Sequence, residues 1–208
     1  MAMYEIKQGD HISGIAYRFG FSDYKTIWNH PNNADLKKKR INPHVLFPGD
    51  LLFVPDKESK DIDCPTDQQH SFRLSGQPLK IRLALKDFDN EPIAGAECVL
   101  EVGSKVYNLT SDGEGIIETP IPKDAKSGTL RVPSLGLERS ITIGHLDPED
   151  EDSGYLARLV NLGYFSGTPD QTEALRHAIE EFQCDHKLKV TGELDAATRA
   201  KIKSIHGV

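Results

Sequence analysis

The side chains able to do chemistry in this chain are its eight histidines, three cysteines and an excess of carboxylates. None stands at a spacing that builds a recognisable reactive centre. No HExxH or HxH pair occurs, so the helical two-histidine zinc arrangement is missing from the sequence. The nearest metal set is His177, Cys184 and His186, with Glu180 and Glu181 between them. On a helix His177 and Glu181 share a face at i, i+4 and supply two ligands, but no third or fourth follows at ligand spacing. The acidic turn Asp87, Asp89, Asn90 and Glu91 offers oxygen ligands for calcium without the twelve-residue loop, and such residues are common in turns for local reasons. A cysteine nucleophile would have to be Cys64, Cys98 or Cys184. These fall in a linker, a strand and a helix, which reads as structural. No G-x-S-x-G occurs, and carboxylate pairs can be drawn from any acidic chain. The expectation is no catalytic residue, no metal, no cofactor and no enzyme activity.

Three further features point to binding, each with a plainer alternative. Trp28 can be a sugar platform, but its helical spacing from Tyr24 and Ile27 predicts core. The run Lys37-Lys38-Lys39-Arg40 can meet a polyanion, but predicts a solvated face. His11 can titrate usefully, but reads as a surface-loop histidine.

The elements that position these residues follow from composition and periodicity. The chain has 208 residues, 38% hydrophobic and 27% charged, with a net charge of −7. That argues against a general electrostatic grip on nucleic acid or anionic lipid, since both need a basic face. Apolar runs are too short to span a membrane, and the opening residues carry no basic patch followed by an apolar stretch. The expectation is therefore a cytoplasmic chain, or one delivered to the periplasm or wall by a machine that needs no cleaved signal. Two acidic, proline-containing stretches, 58–71 and 147–153, read as linkers. They leave three units, 1–57, 72–146 and 154–208.

The first unit reads strand, helix, helix, strand. Tyr4 to Lys7 is a short strand. Asp10 is placed to cap a helix with Ile12, Ile15, Ala16 and Phe19 on its apolar face, and Gly20 to end it. Ser22 or Asp23 caps a second helix, a polar loop follows, and Leu51 to Val54 closes the unit. The second unit is all-β. Leu79, Ile81, Leu83 and Leu85 alternate with polar or small residues, and strands follow at Ala96–Val102, Lys105–Thr110, Ile116–Thr119, Thr129–Val132 and Arg139–Ile143. Turn signals near every ten residues predict a small antiparallel sandwich. The third unit is helical. An apolar stripe through Tyr155, Leu156, Leu159, Val160 and Leu162 stops at Gly163. Thr172 caps a long helix carrying Ala174, Leu175, Ala178, Ile179 and Phe182, and Asp195 caps the last helix. The fold class expected is multidomain α+β: a βααβ unit, a small antiparallel β-sandwich and a three-helix bundle.

Three family resemblances follow from these residues. Tyr4-x-Ile6-x-x-Gly9-Asp10-x-Ile12-x-x-Ile15-Ala16-x-x-Phe19-Gly20, with Ile27-Trp28-Asn29 and Leu46-Phe47-Pro48-Gly49-Asp50-x-Leu52-x-Val54-Pro55, resembles a LysM domain over residues 3–56. It departs at His11, where the family has Thr or Ser, and in its long basic loop. The resemblance implies binding of N-acetylglucosamine-containing glycan in a groove formed by Gly9, Asp10, His11 and Ile12 with Val45, Leu46, Phe47, Pro48 and Gly49. Ile93-x-Gly95-Ala96-x-x-x-Leu100 and Thr110-x-Asp112-Gly113-x-Gly115 are similar to the carboxypeptidase-regulatory or transthyretin-like sandwiches. Leu162-Gly163-Tyr164, Ala178-Ile179-x-x-Phe182-Gln183 and Leu188-x-Val190-Thr191-Gly192-x-Leu194-Asp195-x-x-Thr198 resemble the three-helix peptidoglycan-binding domain. That family's glycine-containing loop is shortened here to Ser166-Gly167-Thr168-Pro169.

Together the resemblances imply a non-catalytic peptidoglycan-binding protein. The LysM variant is similar to forms from phage tails and contractile injection systems, including type VI secretion, which implies an accessory or adaptor with a toxin or spike protein as further partner. The alternative is an interaction adaptor or chaperone that reuses both modules without binding glycan. An open groove at Gly9–Ile12 and Leu46–Gly49 favours the first; a groove plugged by residues 31–44 or by the β unit favours the second.

Overall fold

The computed structural model describes residues 2–58, 63–71, 76–87, 89–165 and 172–207. The short loop 166–169 and the middle of the first acidic stretch lie outside the described residues. The chain divides into two compact units, residues 1–44 with 48–145 and residues 45–47 with 146–208. The first therefore joins two segments expected to stand apart.

That first unit opens with strand β1 (Ala2–Glu5), helix α1 (Ile12–Arg18), helix α2 (Lys25–Trp28), a 3-10 turn at Pro31–Asn33, helix α3 (Ala34–Lys39) and strand β2 (Leu51–Val54). β1 and β2 pair antiparallel, with Ala2 opposite Val54 and Glu5 opposite Leu51. Ile12, Ile15 and Ala16 of α1 are buried, as their spacing predicts. Gly20 adopts φ +75, and the N–H groups of Gly20 and Phe21 bond back to the Tyr17 and Ala16 carbonyls, closing the helix end. Trp28 is core.

The predicted cap moves by one residue. His11, not Asp10, caps α1, its Nδ1 accepting the Gly14 N–H at 3.2 Å. Asp10 is occupied elsewhere, accepting from the Tyr4 hydroxyl at 2.6 Å, the Lys7 N–H at 3.0 Å and the Arg18 guanidinium at 2.8 Å. The predicted polar loop contains α3. Two buried polar residues fix it. Asn33 donates to the Ile27 and Phe53 carbonyls and accepts from the Phe53 N–H, tying the end of α2 to β2. Arg40, only 1% exposed, donates its Nε to buried Asp50 at 2.7 Å. The basic run is thus a solvated face at Lys37 and Lys38 but not at Arg40, because the chain turns inward to reach Asp50.

The rest of this unit is β. Strands β3 (Leu79–Ala84) and β6 (Ile116–Ile121) form one sheet. β4 (Glu97–Val102), β5 (Lys105–Thr110), β7 (Ser127–Val132) and β8 (Leu137–Thr142) form another, in the order β5-β4-β7-β8. Cys98, Leu100 and Val102 from β4, Ile117 and Ile121 from β6, and Leu130 and Val132 from β7 build the core between them. Asp87 Oδ1 accepts the Asp89 and Glu91 N–H groups. The acidic turn thereby shapes its own backbone.

The second unit holds helices α4 (Asp152–Asn161), α5 (Thr172–Asp185) and α6 (Ala196–His206). Thr172 is the first residue of α5 rather than a residue outside it. Tyr155, Leu159, Phe165, Ala178, Ile179, Phe182 and Ile202 form the core. Gly163 takes φ +90, with Gly163 and Tyr164 N–H groups returning to Val160 and Leu159. The acidic stretch before α4 is packed, not extended: Pro148 is buried, and Arg158 donates to the Asp147 carbonyl at 3.0 Å.

Gln183 organises the connection between α5 and α6. Its amide nitrogen donates to Thr191 Oγ1, the Glu193 carbonyl and Thr198 Oγ1, and its oxygen accepts from the Thr191 and Gly192 N–H groups. Asp195 then caps α6 through the Thr198 N–H at 2.8 Å. Replacing Gln183 by Leu removes every one of these bonds and strands two backbone donors. The expected cost is about 3 kcal/mol, read as amide hydrogen exchange about a hundredfold faster over residues 188–198. Unchanged exchange there would show that the connection is held by other groups.

Candidate functional site

Two surface features can receive a ligand, one in each unit. The first is a pocket of about 480 Å³ bounded by Lys7, Gly9, Tyr17, Arg18, Asp124 and Lys126. Its floor is polar. The Tyr4 hydroxyl donates to Asp10 and accepts from Arg18 at 2.6 Å, and Arg18 also pairs with Asp10, so the three side chains hold one another. Burial pushes the Asp10 carboxyl up, but hydrogen bonds from Tyr4, Arg18 and the Lys7 N–H outweigh it and hold the group below the usual carboxylate range. Tyr4 is raised, first by burial and then by its bond to Asp10.

His11 lies beneath this floor, 6% exposed. With Nδ1 accepting from Gly14 the ring is neutral, and the Ala125 carbonyl in the β6–β7 connection lies close enough to act on it. Burial holds the imidazole below its ordinary pKa, and the Ala125 carbonyl only partly offsets this. The same connection reaches the first segment a second time, Lys123 Nζ donating to the Ser22 carbonyl at 2.5 Å. After β8, Gly144 and His145 sit against Gly9; a Cβ on Gly144 would lie 2.7 Å from the Gly9 carbonyl. The β segment thus covers the turn that precedes α1.

The structure brings Gly9, Asp10 and His11 together at this pocket. Ile12 is fully buried, and Val45 and Leu46 are 6% and 4% exposed, which leaves them little surface for a ligand. Val45, Leu46 and Phe47 belong to the second unit, whereas Pro48 and Gly49 belong to the first. There the Gly49 N–H donates to the Ile6 carbonyl, beside the end of β1. Tyr17, Lys7, Arg18, Asp124 and Lys126 were not expected. Tyr17 was detectable in principle, as an aromatic residue off the apolar stripe of α1. Asp124 and Lys126 carried no signal, because their place depends on packing between segments over a hundred residues apart in sequence.

The second feature is a shallow depression on α6 lined by Ala200, Lys203, Ser204 and Gly207. It sits on the helix that Gln183 and Asp195 position. Among the described residues no group of three or more histidines, cysteines and carboxylates is placed to hold a metal ion. No helix among the described residues is long and apolar enough to cross a membrane.

The comparisons with known proteins bear on the second unit. Residues 157–202 match the family model described as “Putative peptidoglycan binding domain”. The matched stretch runs from α4 into α6 and includes the whole Gln183 framework. No curated protein and no solved structure matches the chain. Residues 157–202 of the C-terminal helical unit are thus similar to that family.

The His11 geometry predicts a pH dependence. Its folded pKa lies below the unfolded value near 6.5, so the neutral form contributes stability that is complete above pH 6.5 and lost as pH falls. Asp10, Arg18 and His44 act on the ring, and burial also lowers His44. The urea midpoint reported by Trp28 fluorescence should fall between pH 7.5 and 5. In His11→Asn, which keeps a capping acceptor without titrating, the slope should flatten to the part due to His44. An unchanged slope would show that His11 does not titrate in this range.

Proposed function

We propose that this chain is a non-catalytic peptidoglycan-binding protein whose C-terminal helical unit carries the affinity for the wall polymer. The match of residues 157–202 is the observation that carries this reading. The Gln183–Thr191–Thr198 framework supports it physically: the motif residues of the match are locked into one turn, so α6 is presented in a fixed geometry. Preorganised surfaces lose little entropy when a saccharide docks.

The N-terminal segment extends the reading. Its paired terminal strands β1 and β2, with α1 and α2 following β1 and a further helix α3 before β2, support the likeness to LysM modules and N-acetylglucosamine-containing glycan as the ligand class. Gly9, Asp10 and His11 then serve a ligand from the pocket, while buried Ile12 shapes the backbone beside it. A role as accessory to a contractile injection or type VI secretion system rests on the resemblance of the N-terminal motif.

A second reading is favoured by one observation. The β6–β7 connection and the Gly144–His145 turn lie on the loop before α1. Such cover suits a module reused to dock a protein such as a toxin or spike component.

Co-sedimentation of the full chain with purified sacculi separates the two. The wild type should pellet, and Ala200→Trp, which fills the exposed depression on α6, should weaken pelleting by about tenfold, the loss of one well-packed contact. A chain that stays in the supernatant while Trp28 fluorescence shows it folded would overturn the wall-binding reading and leave the adaptor reading.

A further inference from the structure

We propose that the pocket between α1 and the β6–β7 connection is a second recognition site, for a sugar ring that carries a carboxylate. The proposal rests on the wall-binding reading above for its choice of sugar, and on the following observations for its chemistry.

Charge comes first. The chain as a whole is at −7, yet the charge left unspent in this pocket is positive. Asp10 is consumed by Tyr4, Arg18 and the Lys7 N–H. Lys7 and Lys126 line the pocket and make no ion pair among the described residues, and Asp124 is the one carboxylate facing them without a partner. The pair Arg18–Asp10 is neutral, so two ammonium groups against one carboxylate leave a single positive charge. That matches a carboxylate better than a dianionic phosphate, which would be left undercompensated.

Shape and surface come second. Tyr17 is 56% exposed although it sits on a helix whose neighbouring residues Ile15 and Ala16 are core. Its ring gives the pocket a flat apolar face of the kind that covers the C–H face of a pyranose. The volume of about 480 Å³ suits one or two sugar rings. Arg18 is held at the rim by Tyr4 and Asp10, so the site is built before ligand arrives.

The pocket is also composite. Lys126 and Asp124 come from the β segment, while Tyr17 and Lys7 come from the N-terminal segment, and neither alone has the full charge pattern. This gives the β segment a part in recognition beyond spacing.

The test uses the full chain labelled with nitrogen-15. N-Acetylmuramic acid and N-acetylglucosamine share the ring and acetamido group, but only the first carries the lactyl carboxylate. Titration with the muramic acid should move the Gly9, Gly14, Tyr17 and Lys126 amides in a saturable way, and N-acetylglucosamine should bind about tenfold more weakly, the loss of one charge-assisted contact. Lys126→Glu and Tyr17→Ala, both at exposed positions, should each weaken binding by a similar factor. Lys105→Glu, a charge reversal on β5, should not. Equal response to both sugars, or motionless pocket amides, would overturn the proposal. If sacculi still pellet the protein in that case, the wall-binding reading stands and only the pocket fails. Saturable pocket shifts without pelleting would support the pocket and remove the helical unit as the source of affinity.

Discussion

The buried imidazole of His11 caps the start of α1 where the β6–β7 connection packs beside it, and the geometry of that turn depends on the ring's place. Acceptance at Nδ1 caps α1. The β6–β7 connection packs beside it: a Cβ on Gly14 would meet the His11 ring at 3.0 Å and the Lys123 carbonyl at 3.2 Å. Only a neutral histidine keeps Nδ1 free to accept.

The two units reach internal order by comparable means. Asn33 and Gln183 each use an amide side chain as a substitute for missing backbone partners. A neutral amide needs no counter-charge, and when its donors and acceptors are all matched the burial costs little. The Arg40–Asp50 pair is a different solution, with both ions almost wholly withdrawn from water. Such a pair adds little net stability over an apolar replacement, but losing one partner is costly. Lys39, half exposed on the same carboxylate at 2.9 Å, gives Asp50 a second cation and reduces that vulnerability.

What could be read from the sequence was what periodicity and glycine geometry encode locally. The alternation through Leu79–Leu85 produced β3, and Gly20 and Gly163 stopped their helices where expected. α3 was missed because only Leu36 of its six residues is buried, so no apolar stripe advertised it. The cap of α1 was misplaced by one residue because Asp10 and His11 are both capable acceptors. The choice between them was made by Tyr4 and Arg18, which occupy Asp10 from elsewhere in the fold. Arg40 looked like the fourth member of a solvated run, since nothing in its neighbours reveals Asp50. The C-terminal motif was the most legible part, because Gln183, Thr191 and Thr198 lie within sixteen residues and their hydrogen bonds are nearly local. The pocket was the least legible, since it joins residues 7–18 to residues 124–126.

On the wall-binding reading proposed above, that contrast bears on how an acidic protein recognises a polymer that itself carries carboxylates. At physiological salt the repulsion between the chain's net charge and such a polymer is screened within about 8 Å. It slows encounter without forbidding contact. Affinity must then come from short-range matches, and these require donors already freed from the protein's own acids. In the first unit this is the effect of Tyr4 and Arg18 on Asp10: by occupying its carboxylate they prevent it from neutralising Lys7 and Lys126. In the helical unit Asp195 is spent in the same way on the Thr198 N–H and hydroxyl. In the first unit a carboxylate turned inward to brace the pocket floor leaves Lys7 and Lys126 without an ion pair among the described residues, whereas on α6 Arg199 and Lys203 are paired with Asp152 and Glu149. On the wall-binding reading proposed above, one surface in each unit gains from acting on the same polymer whenever its repeat lets both engage.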